Sequence, residues 1–380
     1  MNRRTFLRGA VGTALAAGVG AGGAFAFLRQ EAFGALPEGS SRQRVASSPH
    51  YVDGEFRNVI PRPILSDGSS FVGALIRSLT EKRVQTEPPV PVPSKRPDLR
   101  SLDRSRDCVV WLGHSTFFLQ LEGRRLLIDP VFSEHASPVS FSIRAFAGAT
   151  PCAAADMPDI DCLLISHDHW DHLDYPTVMT LKNRVRTVIC GLGVGAHFRR
   201  WGFSERVLRE ADWGETVAPN DDLRITLVTA SHYSGRALTR NQSLWTGFRI
   251  VSPRQSVFFS GDSGYGPHFA DVRKAFGPTD LALLDCGQYN ARWKYIHMTP
   301  EEAARAAEDL GAGALLPAHV GKFALASHPW DEPFRRVSLA SRNKNFSLLT
   351  PVIGDVVPLS GAIPVFPRWW ENERASTSPS

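Results

Sequence analysis

Short apolar runs that stop at polar residues recur along this chain. Residues 160–166 (IDCLLIS), 223–230 (LRITLVTA), 256–260 (SVFFS) and 313–317 (GALLP) are four of them. Runs of about four to eight such residues, bounded by Gly and Ser and rich in β-branched side chains, predict buried strands ending in turns. Upstream, residues 109–112 and 115–121 read as paired strands, with a turn at 122–124 (EGR) and a further strand over 126–129. Helical spacing appears over 175–182, 193–201 and 300–309. Pro300 followed by Glu301 and Glu302 is a helix start, because proline fits the first turn and carboxylates favour the positive end of the dipole. Strands alternate with helices in both halves, which predicts an α/β chain, and no repeat of roughly 20–50 residues is visible.

Residues 27–107 follow neither period. They are proline-rich, and residues 87–94 (EPPVPVPS) favour polyproline II or extended chain. Only 70–82 (SFVGALIRSLTEK) has helical spacing. The segment reads as an irregular arm packed over a core domain of residues 108–366. Residues 367–380 read as a polar, disordered tail, with docking of Trp369 and Trp370 the alternative.

What ends each apolar run gives the chain its chemistry. The first run leads into His167-Asp168-His169-Trp170-Asp171-His172, the pattern H-x-H-x-D-H. Imidazole nitrogens and carboxylate oxygens are ligands for zinc and similar metals. On an extended loop His167 and His169 point the same way, and Asp171 and His172 reach a second position. One short loop can thus serve two metal ions. The other runs end in Ser231-His232, Gly261-Asp262-Ser263-Gly264 and Ala318-His319. A lone histidine after a strand is usually structural, and Gly-Asp-Ser-Gly alone is usually a turn. Four such endings in one chain point to a site built on loops from a rigid sheet.

These residues carry a resemblance to the metallo-β-lactamase superfamily. Residues 111–116 (WLGHST), 128–133 (IDPVFS) with 136–138 (ASP), and 167–174 (HDHWDHLD) resemble the branch that contains N-acylphosphatidylethanolamine-hydrolysing phospholipase D. So do 295–297 (YIH) with 300–303 (PEEA), and 53–58 (DGEFRN). The match covers roughly residues 51–359. The resemblance implies a four-layered αββα sandwich and two zinc ions, with iron or manganese as other options. It implies one metal on His167, His169 and His232, another on Asp171, His172 and His319, and Asp262 between them. A bridging anion offsets the repulsion of two close cations, and a bridging hydroxide would be the nucleophile, with Asp171 part of the catalytic set. Asp168 and Asp174 are either acceptors for imidazole N–H groups or solvated acids. His114 is expected to support the site from beneath. His50, His135, His197, His268 and His328 read as surface or structural.

The substrate residues are less defined. Trp293, Tyr295 and His297 could face the metals, and His297 could contact a phosphate or protonate a leaving alkoxide; a structural histidine is the alternative. Trp170 and Tyr233 adjoin ligands and could wall the pocket. Residues 141–147 (FSIRAFA) could line a lipid-accepting groove or fill core. The implied reaction is hydrolysis of a phosphodiester in an N-acylated ethanolamine phospholipid. Alternatives are a lactonase or esterase on the same fold, an iron-dependent oxidative enzyme, or a non-catalytic binding protein.

Arg3 and Arg4 precede an Ala- and Gly-rich run that reaches the small-residue site Ala24-Phe25-Ala26. This reads as a Tat-like export signal over residues 1–26, hence a periplasmic or extracytoplasmic protein, with retention as a membrane anchor the alternative. The formal charge of +5 falls by three, to +2, if Arg3, Arg4 and Arg8 leave with it. No run of Lys and Arg interleaved with aromatics exists, so nucleic acid is disfavoured as a partner. A phospholipid or other ester substrate and peripheral membrane contact are expected, and a homodimer stays an option. The five cysteines include no C-x-x-C and read as buried thiols.

Overall fold

The computed structural model describes residues 25–70, 73, 83–361 and 364–371. The export segment and the helix expected over 70–82 therefore lie almost wholly outside the described residues. The arm is less irregular than its composition predicts. It carries a helix α1 (Gly39–Ala46) and a small hairpin of β1 (Tyr51–Val52) and β2 (Glu55–Phe56).

The core begins with β3 (Cys108–Trp111), β4 (Phe117–Leu121), β5 (Arg124–Ile128) and β6 (Ile160–Ile165). Helix α2 (Tyr175–Leu181), β7 (Val185–Gly191), α3 (Gly195–Arg200) and β8 (Leu208–Ala211) complete the first half. The second half holds β9 (Thr216–Val217), β10 (Arg224–Val228), β11 (Gly247–Val251), β12 (Ser256–Phe259), α4 (His268–Phe276) and β13 (Thr279–Asp285). Then come α5 (Pro300–Asp309), β14 (Ala312–Ala318), α6 (Glu332–Ala340), β15 (Ser347–Leu348) and β16 (Val356–Pro358).

Two seven-stranded sheets result, in the orders β16-β3-β4-β5-β6-β7-β8 and β15-β14-β13-β12-β11-β10-β9. Each is antiparallel on one side and parallel on the other, the change falling at β5/β6 and at β12/β13. The parallel strands are apolar almost throughout, because both faces of these sheets are covered. The inner faces meet in one core that joins Trp111, Phe117, Leu126 and Leu164 to Ile225, Phe248, Phe259 and Leu283. Outside the first sheet, Val110, Phe118, Leu163 and Val188 pack on Val178 and Leu181 of α2 and Phe198 of α3. Outside the second, Phe258, Ala282 and Leu284 pack on Phe269 of α4, four alanines of α5 and Val337 of α6. These are the four layers of an αββα sandwich. Helix α5 starts at the expected Pro300, and a Thr299/Glu302 capping box satisfies its first amides.

Two expectations need correction. The polar tail boundary at 367 is misplaced: Trp369 and Trp370 are 4% and 1% exposed and belong to the inter-sheet core. Trp369 packs edge-on against Phe334, with ring centroids 4.8 Å apart. Two adjacent indoles bury too much apolar surface to stay in water once a groove is available. Helices α1, α4 and α6 are further additions to the expected elements; at eight or nine residues each is too short for helical spacing to mark it. All five cysteines are buried and unpaired.

Candidate metal centre

The strand ends converge on one edge of the sandwich. Ser166 follows β6, and the next six residues turn back at once, with His172 and Leu173 amides both donating to the His169 carbonyl. His232 follows β10, Asp262 follows β12 and His319 follows β14. His319 has a positive φ of 61°, as do Asp129 (40°) and His114 (54°). Left-handed backbone at non-glycine residues is held by surrounding structure and gathers at functional sites.

His167, His169 and His232 bring one ring nitrogen each within 4.8 Å of one another, and so do the chosen atoms of His114, Asp171, His172 and His319. Asp262 lies between the two groups. Its Oδ2 is 3.8 Å from His167 Nε2, 3.7 Å from His232 Nε2, 3.2 Å from His172 Nε2 and 3.3 Å from His319 Nε2. Thus all seven residues named as ligands from the sequence meet in one place.

Their other ring nitrogens are tied from behind. His172 Nδ1 donates to Asp129 Oδ2 (2.8 Å), His319 Nδ1 to Asp285 Oδ1 (3.3 Å), His232 Nδ1 to the Ile296 carbonyl (3.1 Å) and His167 Nδ1 to Ser166 Oγ (2.9 Å). With Nδ1 protonated, each Nε2 lone pair faces inward, which is the tautomer a metal needs. The residues fit a cation on a second count. His172 Nε2 and Asp262 Oδ1 are buried and make no hydrogen bond, although each is surrounded by polar atoms. Buried polar atoms without partners are costly unless an ion completes them.

The electrostatics agree. Burial opposes charge on His319, yet Asp262 and Asp285 push its pKa up to about 10. Burial likewise opposes ionisation of Asp262, but His172 and His319 hold its pKa well below the usual carboxylate range. Acids this deeply buried demand positive charge beside them. His114 behaves differently: burial, then His319, lowers its pKa to about 3. Its Nε2 donates to Asp171 Oδ2 at 3.0 Å, next to His319 Nε2 at 3.1 Å from the same oxygen. His114 therefore braces Asp171 from below.

A cavity of about 620 Å³ opens over the cluster. Its walls include His169, Asp171, Asp262, His297 and His319, with Trp170, Tyr233 and Trp293 beside them. Tyr233 packs edge-on against His169 at 4.5 Å. His297 Nδ1 donates to Asp285 Oδ2 (2.8 Å), and its ring stacks on His319 at 5.0 Å. Tyr295 is the exception among the expected substrate residues. It is not among the lining residues; the turn after Trp293 directs its ring to Arg62, 4.9 Å away. In the 141–147 stretch Ile143 lines the cavity, Phe146 is buried in the core and Phe141 is 89% exposed. A second, smaller cavity of about 240 Å³ lies between α4 and the arm, lined mainly by apolar residues and without a ligand cluster.

Asp168 and Asp174 are structural acceptors rather than solvated acids. Asp174 accepts from the Ser133 amide and hydroxyl (3.1 and 2.8 Å) and from Thr177. Sequence reasoning gave no role to Asp129 or Asp285, both fully buried. A signal was present: each is a lone carboxylate at the end of an apolar strand, as the ligands are. Of the five other histidines, half-buried His268 and buried His197 are supports, bonded to Ser263 Oγ (3.1 Å) and Asp168 Oδ2 (3.3 Å).

Comparison with known proteins follows the same lines. The family described as "Beta-lactamase superfamily domain" matches residues 124–320. An uncharacterized protein of Mycobacterium tuberculosis is 38% identical over 327 residues, 85% of this chain and 87% of that one. An N-acyl-phosphatidylethanolamine-hydrolyzing phospholipase D of Caenorhabditis elegans is 28% identical over 263 residues, 65% of this chain and 74% of its own. Among solved structures, a metallo hydrolase from Ignicoccus hospitalis superposes with a TM-score of 0.51 at 20% identity, over 67% of this chain and 99% of that one, a likeness of fold.

Proposed function

Because the chain belongs to the metallo-β-lactamase superfamily and is a metal-dependent hydrolase of it, we propose that it is a phospholipase D-type phosphodiesterase, carrying two zinc ions and acting on N-acylated ethanolamine phospholipids. The observation that carries the reading is the cavity itself. Its floor is the ligand cluster, and its walls combine Ile64, Leu65, Ile143, Trp293 and Leu325 with the cation of Arg240. An apolar wall suits acyl chains, and a guanidinium beside the floor suits a phosphate. The similarity to a phospholipase D of this specificity supports it.

His167, His169 and His232 would hold one ion, Asp171, His172 and His319 the other, with Asp262 shared. When bound, the pair supplies a hydroxide at neutral pH and a charge clamp on phosphate oxygens. The chain's own residues do the rest. Asp129 and Asp285 fix the ligand tautomers. Tyr233 and Trp170 bound the floor and exclude water. His297, oriented by Asp285, lines the cavity where the leaving N-acylethanolamine oxygen requires a proton, and acts as its general acid. Water adds to phosphorus, the head-group P–O bond breaks, and phosphatidic acid and an N-acylethanolamine leave.

Access fits a lipid interface. Phe141 (89% exposed) and Leu238 (84% exposed) lie within two residues of the cavity-lining Ile143 and Ala237. Exposed apolar side chains at a rim favour peripheral contact with a membrane. No described helix is long and apolar enough to cross one. An extracytoplasmic location, by way of the Tat-like segment, belongs to the same proposal.

The test incubates zinc-restored protein with a membrane lipid extract and resolves products by mass spectrometry against His169→Ala. Phosphatidic acid and an N-acylethanolamine, made only by the intact site, are expected. Unchanged phospholipids would refute the specificity and move it to lactones, small esters or soluble phosphodiesters.

A further inference from the structure

The two residues between the first ligands, Asp168 and Trp170, are gripped by a segment more than 130 residues earlier in the chain. Phe33 packs edge-on against Trp170 with centroids 5.0 Å apart, and Phe27 backs Phe33 at 5.2 Å. The Ala35 amide donates to His197 Nδ1 at 3.1 Å. That bond leaves the proton on His197 Nε2, which lies 3.3 Å from Asp168 Oδ2. Asp168 also accepts from the Gly235 amide (2.7 Å) and the Ser243 hydroxyl (2.8 Å). The backbone carbonyl of Glu31 accepts from Trp201 Nε1 (2.7 Å), and that of Arg29 from Arg200 (3.1 Å).

Arg236 joins the pieces. It is 5% exposed and has no carboxylate within ion-pair distance among the described residues. Its guanidinium donates instead to carbonyls: Ala32 from Nε (3.2 Å) and Nη2 (2.8 Å), and Asp168 (2.9 Å) and Leu173 (2.6 Å) from Nη1. It also lies over the Trp170 ring at 4.0 Å. A buried guanidinium spent on four backbone bonds and an aromatic face is a device for fixing geometry. Both ends of the ligand loop, Asp168 and Leu173, are thereby tied to Ala32.

We propose that residues 27–35 form a positioning strap which, through Arg236 and His197, sets the loop that presents His167, His169, Asp171 and His172. Among the described residues no hydrogen bond, ion pair or ring contact joins the strap to a ligand; it acts on the residues between them. It presupposes the ligand assignment but not the phospholipase D specificity. A cut after Ala26, as expected from the small-residue site, leaves the strap intact on the mature chain.

Gly34 permits a test that leaves every ligand and bonding side chain in place. Its φ is +70°, and an added Cβ would fall 1.9 Å from His197 Nδ1. Gly34→Ala must therefore lift the strap. Two readouts apply: zinc affinity by chelator competition, and amide hydrogen exchange over residues 167–173 in the metal-free protein. Zinc affinity should fall about tenfold or more, as when the supports of metal ligands are removed, and exchange in the loop should quicken. Arg236→Lys, which keeps the charge but not the fork, should fall between wild type and Gly34→Ala. If Gly34→Ala does not fold, Phe33→Leu carries the same readouts. Affinity within twofold of wild type together with unchanged exchange overturns the strap. Unimpaired zinc binding by His169→Ala would instead overturn the ligand assignment beneath it.

Discussion

Replacing Asp129 by Asn separates the two jobs that a buried carboxylate does at this site. Asp129 is fully buried and accepts three bonds, from His172 Nδ1 (2.8 Å), the Ser166 amide (2.8 Å) and the Ser166 hydroxyl. Asparagine has the same shape but only one accepting oxygen. Whichever way its amide turns, an NH₂ meets a donor. If it meets Nδ1 of His172, the imidazole proton is driven to Nε2, the face turned to Asp262 and Asp171. A protonated Nε2 cannot bind a metal. Loss of an orienting partner of this kind costs about 10–100-fold in metal affinity, or about 1.4–2.8 kcal/mol. The metal-free fold should respond differently. Burial raises the pKa of Asp129 against the lowering effect of His172, so removing its charge also removes a desolvation cost. Metal-free Asp129→Asn should therefore melt close to wild type, while zinc affinity by competition falls at one of the two sites. An affinity within twofold of wild type would refute the tautomer argument. A large loss of metal-free stability with normal affinity would show that Asp129 serves packing alone.

Other outcomes follow from the same geometry. His297→Gln should lower kcat about a hundredfold or more on the natural substrate, and much less on a nitrophenyl ester, whose leaving group needs no proton; equal losses on both would remove the acid role. In the metal-free chain Asp262 and Asp285 favour a second proton on His319, on Nε2, with its pKa pushed up to about 10, so zinc uptake must displace that proton. Zinc affinity should rise by about tenfold per pH unit below that point until the other ligands intervene, and a pH-independent affinity in a non-binding buffer would contradict this. Trp369→Ala should cost about 3–5 kcal/mol in urea unfolding, because the indole is buried between Phe334 and Trp330; a change under 1 kcal/mol would return residues 367–371 to the role of a tail.

Much of the centre was legible before the fold was known, for a local reason. H-x-H-x-D-H places four ligands on one loop, so its chemistry is written in adjacent residues. His232, Asp262 and His319 each stand directly after an apolar run, so periodicity marked them. Alternating strands and helices with apolar faces marked an α/β chain, since such elements have few ways to bury those faces, and the resemblance to the superfamily implied the αββα layering. Tertiary structure alone decided what stands behind the ligands. His172 meets Asp129 across 43 positions, His319 meets Asp285 across 34, and His197 meets Ala35 across 162. Nothing in a window of neighbouring residues distinguishes these carboxylates from other strand-end acids. Tyr295 has pocket residues for sequence neighbours, yet one turn of backbone sends its ring to Arg62 instead. Trp369 and Trp370 sit in a polar stretch, and only the groove formed by distant strands makes burying them favourable. Side-chain chemistry and period are properties of the chain, whereas partners and burial are properties of packing, set by which surfaces the closed sandwich brings together.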